Sequence, residues 1–101
     1  NVSGGQRQAI GLARVLLQDP RVVLLDEPTA SFDQNTERHV IEYLQTWLKG
    51  RTTIIATHRK ELLTLAERAV VLKDGQIAHD GPLGQIYDMA RGQANQVKAV
   101  K

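Results

Sequence analysis

The segment Arg21–Asp26, RVVLLD, constrains this chain most. Its apolar residues run without a break, whereas a strand with one wet face alternates apolar and polar positions. The run therefore reads as a short strand buried on both faces. It ends in two consecutive acids, Asp26 and Glu27. A strand of this kind delivers both carboxylates at its C-terminal end, where α/β sheets hold their ligands. A solvated turn could instead explain the acids, but that reading is the weaker one, because Pro28-Thr29 follow at once and predict an extended exit.

The flanking segments supply helices. Ser3-Gly4-Gly5-Gln6 has the Ser-x-x-Gln spacing of a capping box, which predicts a helix to about Gln18 with Ile10, Ala13, Leu16 and Leu17 on one face. Asp19-Pro20 ends it. Asp33 can cap a second helix, about Gln34 to Lys49, whose apolar stripe is Val40, Ile41, Leu44, Trp47 and Leu48. Gly50 stops that helix. Thr52–Ala56 is a second apolar strand, and a helix near Lys60–Ala66 follows it. Ala69–Lys73 and Gln76–His79 read as strands joined through the turn Asp74-Gly75, and Pro82–Met89 as a short helix. Residues 92–101 read as a polar, flexible tail. Strands alternate with helices, so the class is α/β with a largely parallel sheet.

Composition excludes several functions. Thirteen basic against eleven acidic residues leave a net charge of +2, too little for a nucleic-acid footprint. There is no cysteine, hence neither a disulfide framework nor a thiolate metal site. The apolar runs Val22–Leu25 and Ala69–Leu72 are far too short to span a bilayer, so no membrane insertion by this segment is expected.

Three features carry chemistry. Ser3-Gly4-Gly5-Gln6 opens a helix, and a helix N-terminus offers unpaired N–H groups and the positive end of the dipole to a phosphate. An ordinary capped helix is the plainer reading of that motif alone. Asp26 and Glu27 suit metal binding and general-base work. His58 follows the strand Thr52–Ala56, where an imidazole can meet a phosphate, although a lone histidine there is more often structural. Arg7, Arg14, His39 and His79 read as exposed, Arg59 as a surface charge, Thr29 as a loop or cap residue, and Trp47 as core.

These pieces in this order resemble the ATP-binding domain of ABC transporters. Asn1–Gln8, NVSGGQRQ, resembles the family's signature motif, with Val2 in place of the usual leucine. Val22–Pro28, VVLLDEP, resembles its Walker B segment, Ser31-Phe32-Asp33 its D-loop and Ala56-Thr57-His58-Arg59 its H-loop. The resemblance runs from Asn1 to about Met89, so residues 1–91 are expected to be the C-terminal part of such a domain, in a partial P-loop NTPase fold.

The resemblance implies the cofactors ATP and Mg²⁺. It gives Glu27 the role of general base, His58 that of a γ-phosphate contact, and Asp26 that of organising Mg²⁺ through water. Ser3, Gly4, Gly5 and Gln6 would contact the ATP of a second, head-to-tail domain, and Asp33 would link the two sites. It further implies a partner membrane domain and a place at the cytoplasmic face of the inner membrane. His58-Arg59 through Asp80-Gly81-Pro82 look like exporters, and Thr29–Glu37, TASFDQNTE, is similar to bacterial type I secretion ATPases. A soluble ABC ATPase acting on nucleic acid or ribosomes, and a non-catalytic fragment, are the alternatives.

One element of the family is not in the sequence. The phosphate loop has the form G-x-x-x-x-G-K-[ST], and no glycine of this chain is followed by lysine. The chain is thus expected to be a fragment whose missing part lies upstream, and to be inactive alone.

Overall fold

A computed structural model describes residues 3–90 and 96–100. The elements are α1 (Gly4–Gln18), β1 (Val22–Asp26), α2 (Gln34–Trp47), β2 (Thr52–Thr57), α3 (Lys60–Leu63), β3 (Arg68–Lys73), β4 (Gln76–Pro82), α4 (Leu83–Ala90) and β5 (Gln96–Val100). The α/β class is as expected. One five-stranded sheet runs in the order β1-β2-β5-β3-β4. β1 and β2 pair in parallel through α2, and β3 points the same way, while β5 and β4 run against them. The sheet expected to be largely parallel is therefore parallel only at β1–β2: β4 returns from β3 in a hairpin, and β5 enters between β2 and β3 from the opposite direction.

Local chemistry accounts for most boundaries. Ser3 and Gln6 form the expected capping box. Asp19 adopts a left-handed conformation at the end of α1, ahead of Pro20. Asp33 Oδ1 accepts from Thr36 N at 2.7 Å and starts α2. Asp74 and Gly75, both at positive φ, make the tight turn that matches the twist of the β3–β4 hairpin. Arg51 joins the far ends of these elements. It donates to the carbonyls of Trp47 and Pro20, pairs with Asp19, and lies over the Trp47 ring at 3.9 Å.

The core lies between α2 and one face of the sheet. Ile41, Leu44 and Leu48 meet Val23, Leu25 and Ile55, and Leu62, Leu63, Ala69, Val71 and Ile86 extend the cluster. Only this face of β1 and β2 is covered. Val22, Leu24 and Ile54 are 59%, 69% and 42% exposed, which corrects the expectation of a β1 strand buried on both faces. The unbroken apolar run records two apolar faces, but the folded chain covers one.

The stripe on α1 also differs. Leu12, Val15 and Leu16 pack against the core, whereas Ile10 is half exposed and Leu17 is 85% exposed. The packed face lies at i, i+3 and i+4 from Leu12. α3 is one turn rather than two.

The expected flexible tail at 92–101 is in part a strand. β5 lies between β2 and β3, with Ala99 opposite both Ile55 and Ala69. Its segment QVKAV carries alternating polar and apolar residues, and its backbone satisfies two strand edges that would otherwise stand unpaired. Val2, residues 91–95 and the boundary expected near 91 lie outside the described residues.

Candidate functional site

β1 and β2 end side by side, so Asp26 stands opposite Ala56. The chain then turns sharply. Glu27 adopts φ 45°, a left-handed conformation uncommon for a residue with a side chain. Its N–H donates to Ala56 O at 2.8 Å, and its own carbonyl accepts from Gln8 Nε2 at 2.8 Å. Residues 28–30 form a turn, with Ala30 N donating to Glu27 O. The expected extended exit is therefore replaced by a turn. Contacts from β2 and α1 hold Glu27 against its local preference, a pattern concentrated at functional sites.

Those contacts aim the Glu27 carboxylate. Its Oε1 accepts from His58 N at 2.9 Å and meets His58 Nδ1 at 2.8 Å, while Oε2 accepts from Thr57 Oγ1 at 3.2 Å. A carboxylate only accepts when ionised, so the Nδ1 of His58 carries the proton and Nε2 faces outward. Oε1 is saturated by two donors. Oε2 retains a free lone pair. His58 is exposed and Glu27 is partly covered, so solvent or a ligand reaches the pair.

The N-terminus of α1 lies beside this turn. An open groove of about 580 Å³ is lined by Ser3, Gly4, Gly5, Ser31, Phe32 and Asp33, among others. A Cβ on Gly5 would stand 3.0 Å from Ser31 O, and one on Gly4 3.4 Å from Ser31 Oγ. The two glycines thus let α1 approach the 31–33 loop closely, in addition to leaving backbone N–H groups accessible. Gln8 closes the contact. It donates to Glu27 O and accepts from Ser31 N, both at 2.8 Å.

The fold therefore brings Glu27 and His58 into contact and places Ser3–Gln6 and Asp33 along one groove. Asp26, the last residue of β1, is exposed. Among the described residues no group of three or more His, Asp or Glu side chains could hold a metal. One carboxylate matches Mg²⁺, which keeps several waters and takes its remaining ligands from substrate phosphates. The hydrogen bond from Thr36 N holds the Asp33 carboxyl below the usual aspartate range.

Sequence reasoning missed Gln8, Thr57 and Glu37, and misread two others. Thr29 is buried and Arg59 is half-buried, and both bond Glu37. Arg59 is thus no free surface charge. Of the two histidines read as exposed, His39 is and His79 is partly buried. No described helix is long and apolar enough to cross a membrane.

The comparisons agree with this geometry. A family model described as "ABC transporter" matches residues 1–30. An ATP-dependent lipid A-core flippase of Burkholderia thailandensis is 42% identical over 80 residues, covering 79% of this chain and 13% of the flippase. Multidrug resistance protein homolog 65 of Drosophila melanogaster is 37% identical over 98 residues, covering 97% of this chain and 8% of that protein. A phosphonates import ATP-binding protein of Anaeromyxobacter dehalogenans is 38% identical over 107 residues, covering 97% of this chain and 22% of that protein. The chain spans less than a quarter of the length of each of these relatives. With its signature-like helix, acid-tipped strand and His58 loop arranged around one turn, the chain belongs to the ABC transporter family, as a segment of its ATP-binding domain.

Proposed function

We propose that this segment carries the hydrolytic residues of an ABC transporter that uses ATP to export a substrate across a membrane. The observation that supports the reading best is the clamp on Glu27. A strained turn and donors from Thr57 and His58 orient one carboxylate and leave one lone pair free on Oε2.

In the full-length protein ATP and Mg²⁺ would supply the reacting phosphoryl group and its charge compensation. Asp26 would hold the ion through water. A water hydrogen-bonded to Glu27 Oε2 would pass its proton to that atom as it attacks. His58 would donate from Nε2 to a phosphate oxygen. With Nδ1 already donating to Glu27, that requires the protonated ring. Gly4 and Gly5 would present their free N–H groups to ATP bound by a second, head-to-tail domain, flanked by Ser3 and Gln6, whose own N–H groups are taken by the capping box, with Asp33 between the two sites. A membrane domain would anchor the assembly at the cytoplasmic face of the inner membrane. The likeness of Thr29–Glu37 to type I secretion ATPases favours a protein or peptide as cargo.

The test is Glu27→Gln in the full-length protein. Turnover is expected to fall by about 10²–10⁴-fold, while ATP binding persists and the two domains stay closed on it. Loss of ATP binding, or unchanged turnover, overturns the assignment. The isolated chain, without a phosphate loop, is expected to show no turnover that Glu27→Gln abolishes.

A second reading is import, favoured by the likeness to the phosphonates import protein over nearly the whole chain. Reconstitution in vesicles separates the two. Export moves substrate away from the side that consumes ATP, and import moves it toward that side.

A further inference from the structure

Glu37 sits on the first turn of α2 at 2% exposure. A carboxylate so deep needs partners, because removing it from water unpaired is costly. It has three donors. Thr29 Oγ1 reaches Oε2 at 2.5 Å, Arg59 Nη2 reaches Oε1 at 2.6 Å, and Arg59 Nε also donates to Oε2. Two guanidinium nitrogens thus meet the two carboxylate oxygens, a bidentate pair that is strong and directional.

The donors belong to two different loops. Thr29 lies in the turn that follows Glu27. Arg59 follows His58, and its backbone N donates to Thr57 Oγ1 at 2.9 Å. That hydroxyl has one proton and gives it to Glu27 Oε2. A continuous path therefore runs from Thr29 through Glu37 and Arg59 to Thr57 and back to Glu27. Glu37 closes it from α2, which is itself anchored in the core through Ile41 and Leu44.

We infer that Glu37 and Arg59 are positioning residues for ATP hydrolysis: the pair locks the Glu27 turn and the His58 loop to one helix and so sets the orientation of Glu27 Oε2. The inference rests on the reading of Glu27 as the base. Neither residue would need to touch the nucleotide. Both act by holding the residues that do.

The test uses the full-length protein and three variants. Glu37→Gln keeps size and an acceptor for Thr29 but loses the charge. Arg59→Lys keeps the charge but loses the fork. The double variant Glu37→Gln/Arg59→Lys closes the cycle. Each is measured for kcat, KM for ATP, and folded fraction at the assay temperature. The expected result is a fall in kcat of about 10–100-fold with KM changed less than about 3-fold, since a misplacement of about 1 Å can cost 10²-fold. The double variant should lose no more than the worse single, as expected of one shared interaction.

Full kcat in folded Glu37→Gln protein, or losses that multiply in the double variant, overturns the inference. A loss explained wholly by unfolding, or failure of every variant to fold, also overturns it and makes the pair a folding element. Glu27→Gln in the same protein is the control. If it leaves turnover intact, the reading of the base fails instead.

Discussion

The two faces of β1 have nearly the same composition and opposite fates. Val23 and Leu25 point to α2 and are buried, while Val22 and Leu24 point the other way and are mostly exposed. Ile55 and Ile54 repeat the contrast on β2. Beyond the packed face lie Glu37, Thr29 and Thr57, buried and bonded to one another or to the Glu27 clamp. The open face ends in the exposed Asp26. Side-chain type therefore says which surfaces favour burial, and connectivity says which of them this chain can cover.

The contrast can be tested at adjacent residues. In the isolated chain Leu25→Ala should lose about 2–5 kcal/mol, because it opens a cavity in a packed cluster. Leu24→Ala should lose less than about 0.5 kcal/mol, as surface substitutions do. Urea unfolding of the two variants measures both, and equal losses would erase the distinction. In the full-length protein a loss at Leu24 that rises toward that at Leu25 would show that the open face is covered there.

Next in size is the polar cluster. Glu37→Gln should lose about 1–3 kcal/mol at neutral pH, the cost of leaving a buried hydrogen-bonding partner unsatisfied. The figure is held down by Arg59, which keeps about a third of its surface in water. The same substitution should change the acid limb. Arg59 first, then Thr29, hold the Glu37 carboxyl below the ordinary glutamate value of 4.5, against the opposing effect of burial. A depressed value means that the unfolded chain takes up the proton first. The stabilisation is then complete above the unfolded value and fades as pH falls through the folded one. Thermal unfolding between about pH 7 and pH 2 should therefore show a shallower decline for Glu37→Gln than for the parent chain. An identical slope would remove Glu37 as the titrating group.

A smaller effect is expected where backbone geometry alone decides. Gly50 follows α2 at φ 78° with open space around it, so Gly50→Ala should lose about 1 kcal/mol from the left-handed conformation and nothing from a clash. The smallest belongs to the open face. Leu24→Gln should leave stability nearly unchanged while lowering self-association, measured by sedimentation, since it interrupts an exposed apolar strip. A large loss of stability would mean that this face is packed after all.

The sequence by itself determined the class, the order of elements as far as α4 and the landmarks of the site. Caps, a breaker and a turn, namely Ser3, Asp33, Pro20 and Asp74-Gly75, act over a few residues, so their effect is readable without the rest of the fold. The acid pair at the end of an apolar run and the histidine after the next strand are likewise local patterns. Glu37 was legible in principle: it lies four residues before Ile41 and seven before Leu44 on the buried stripe, and a charge there calls for a partner.

Tertiary structure alone decided the partners and the exceptions. Arg59 meets Glu37 across 22 positions, and His58 meets Glu27 across 31. No periodicity encodes such pairings, because they depend on how two loops come together after the sheet forms. Glu27 turns left-handed, although the proline after it favours an extended backbone, because Ala56 and Gln8 hold both of its peptide groups. β5 enters the middle of the sheet because two strand edges lacked partners. Which face of β1 is covered depends on which helix the chain can bring to it, a long-range fact that a run of valines and leucines does not contain.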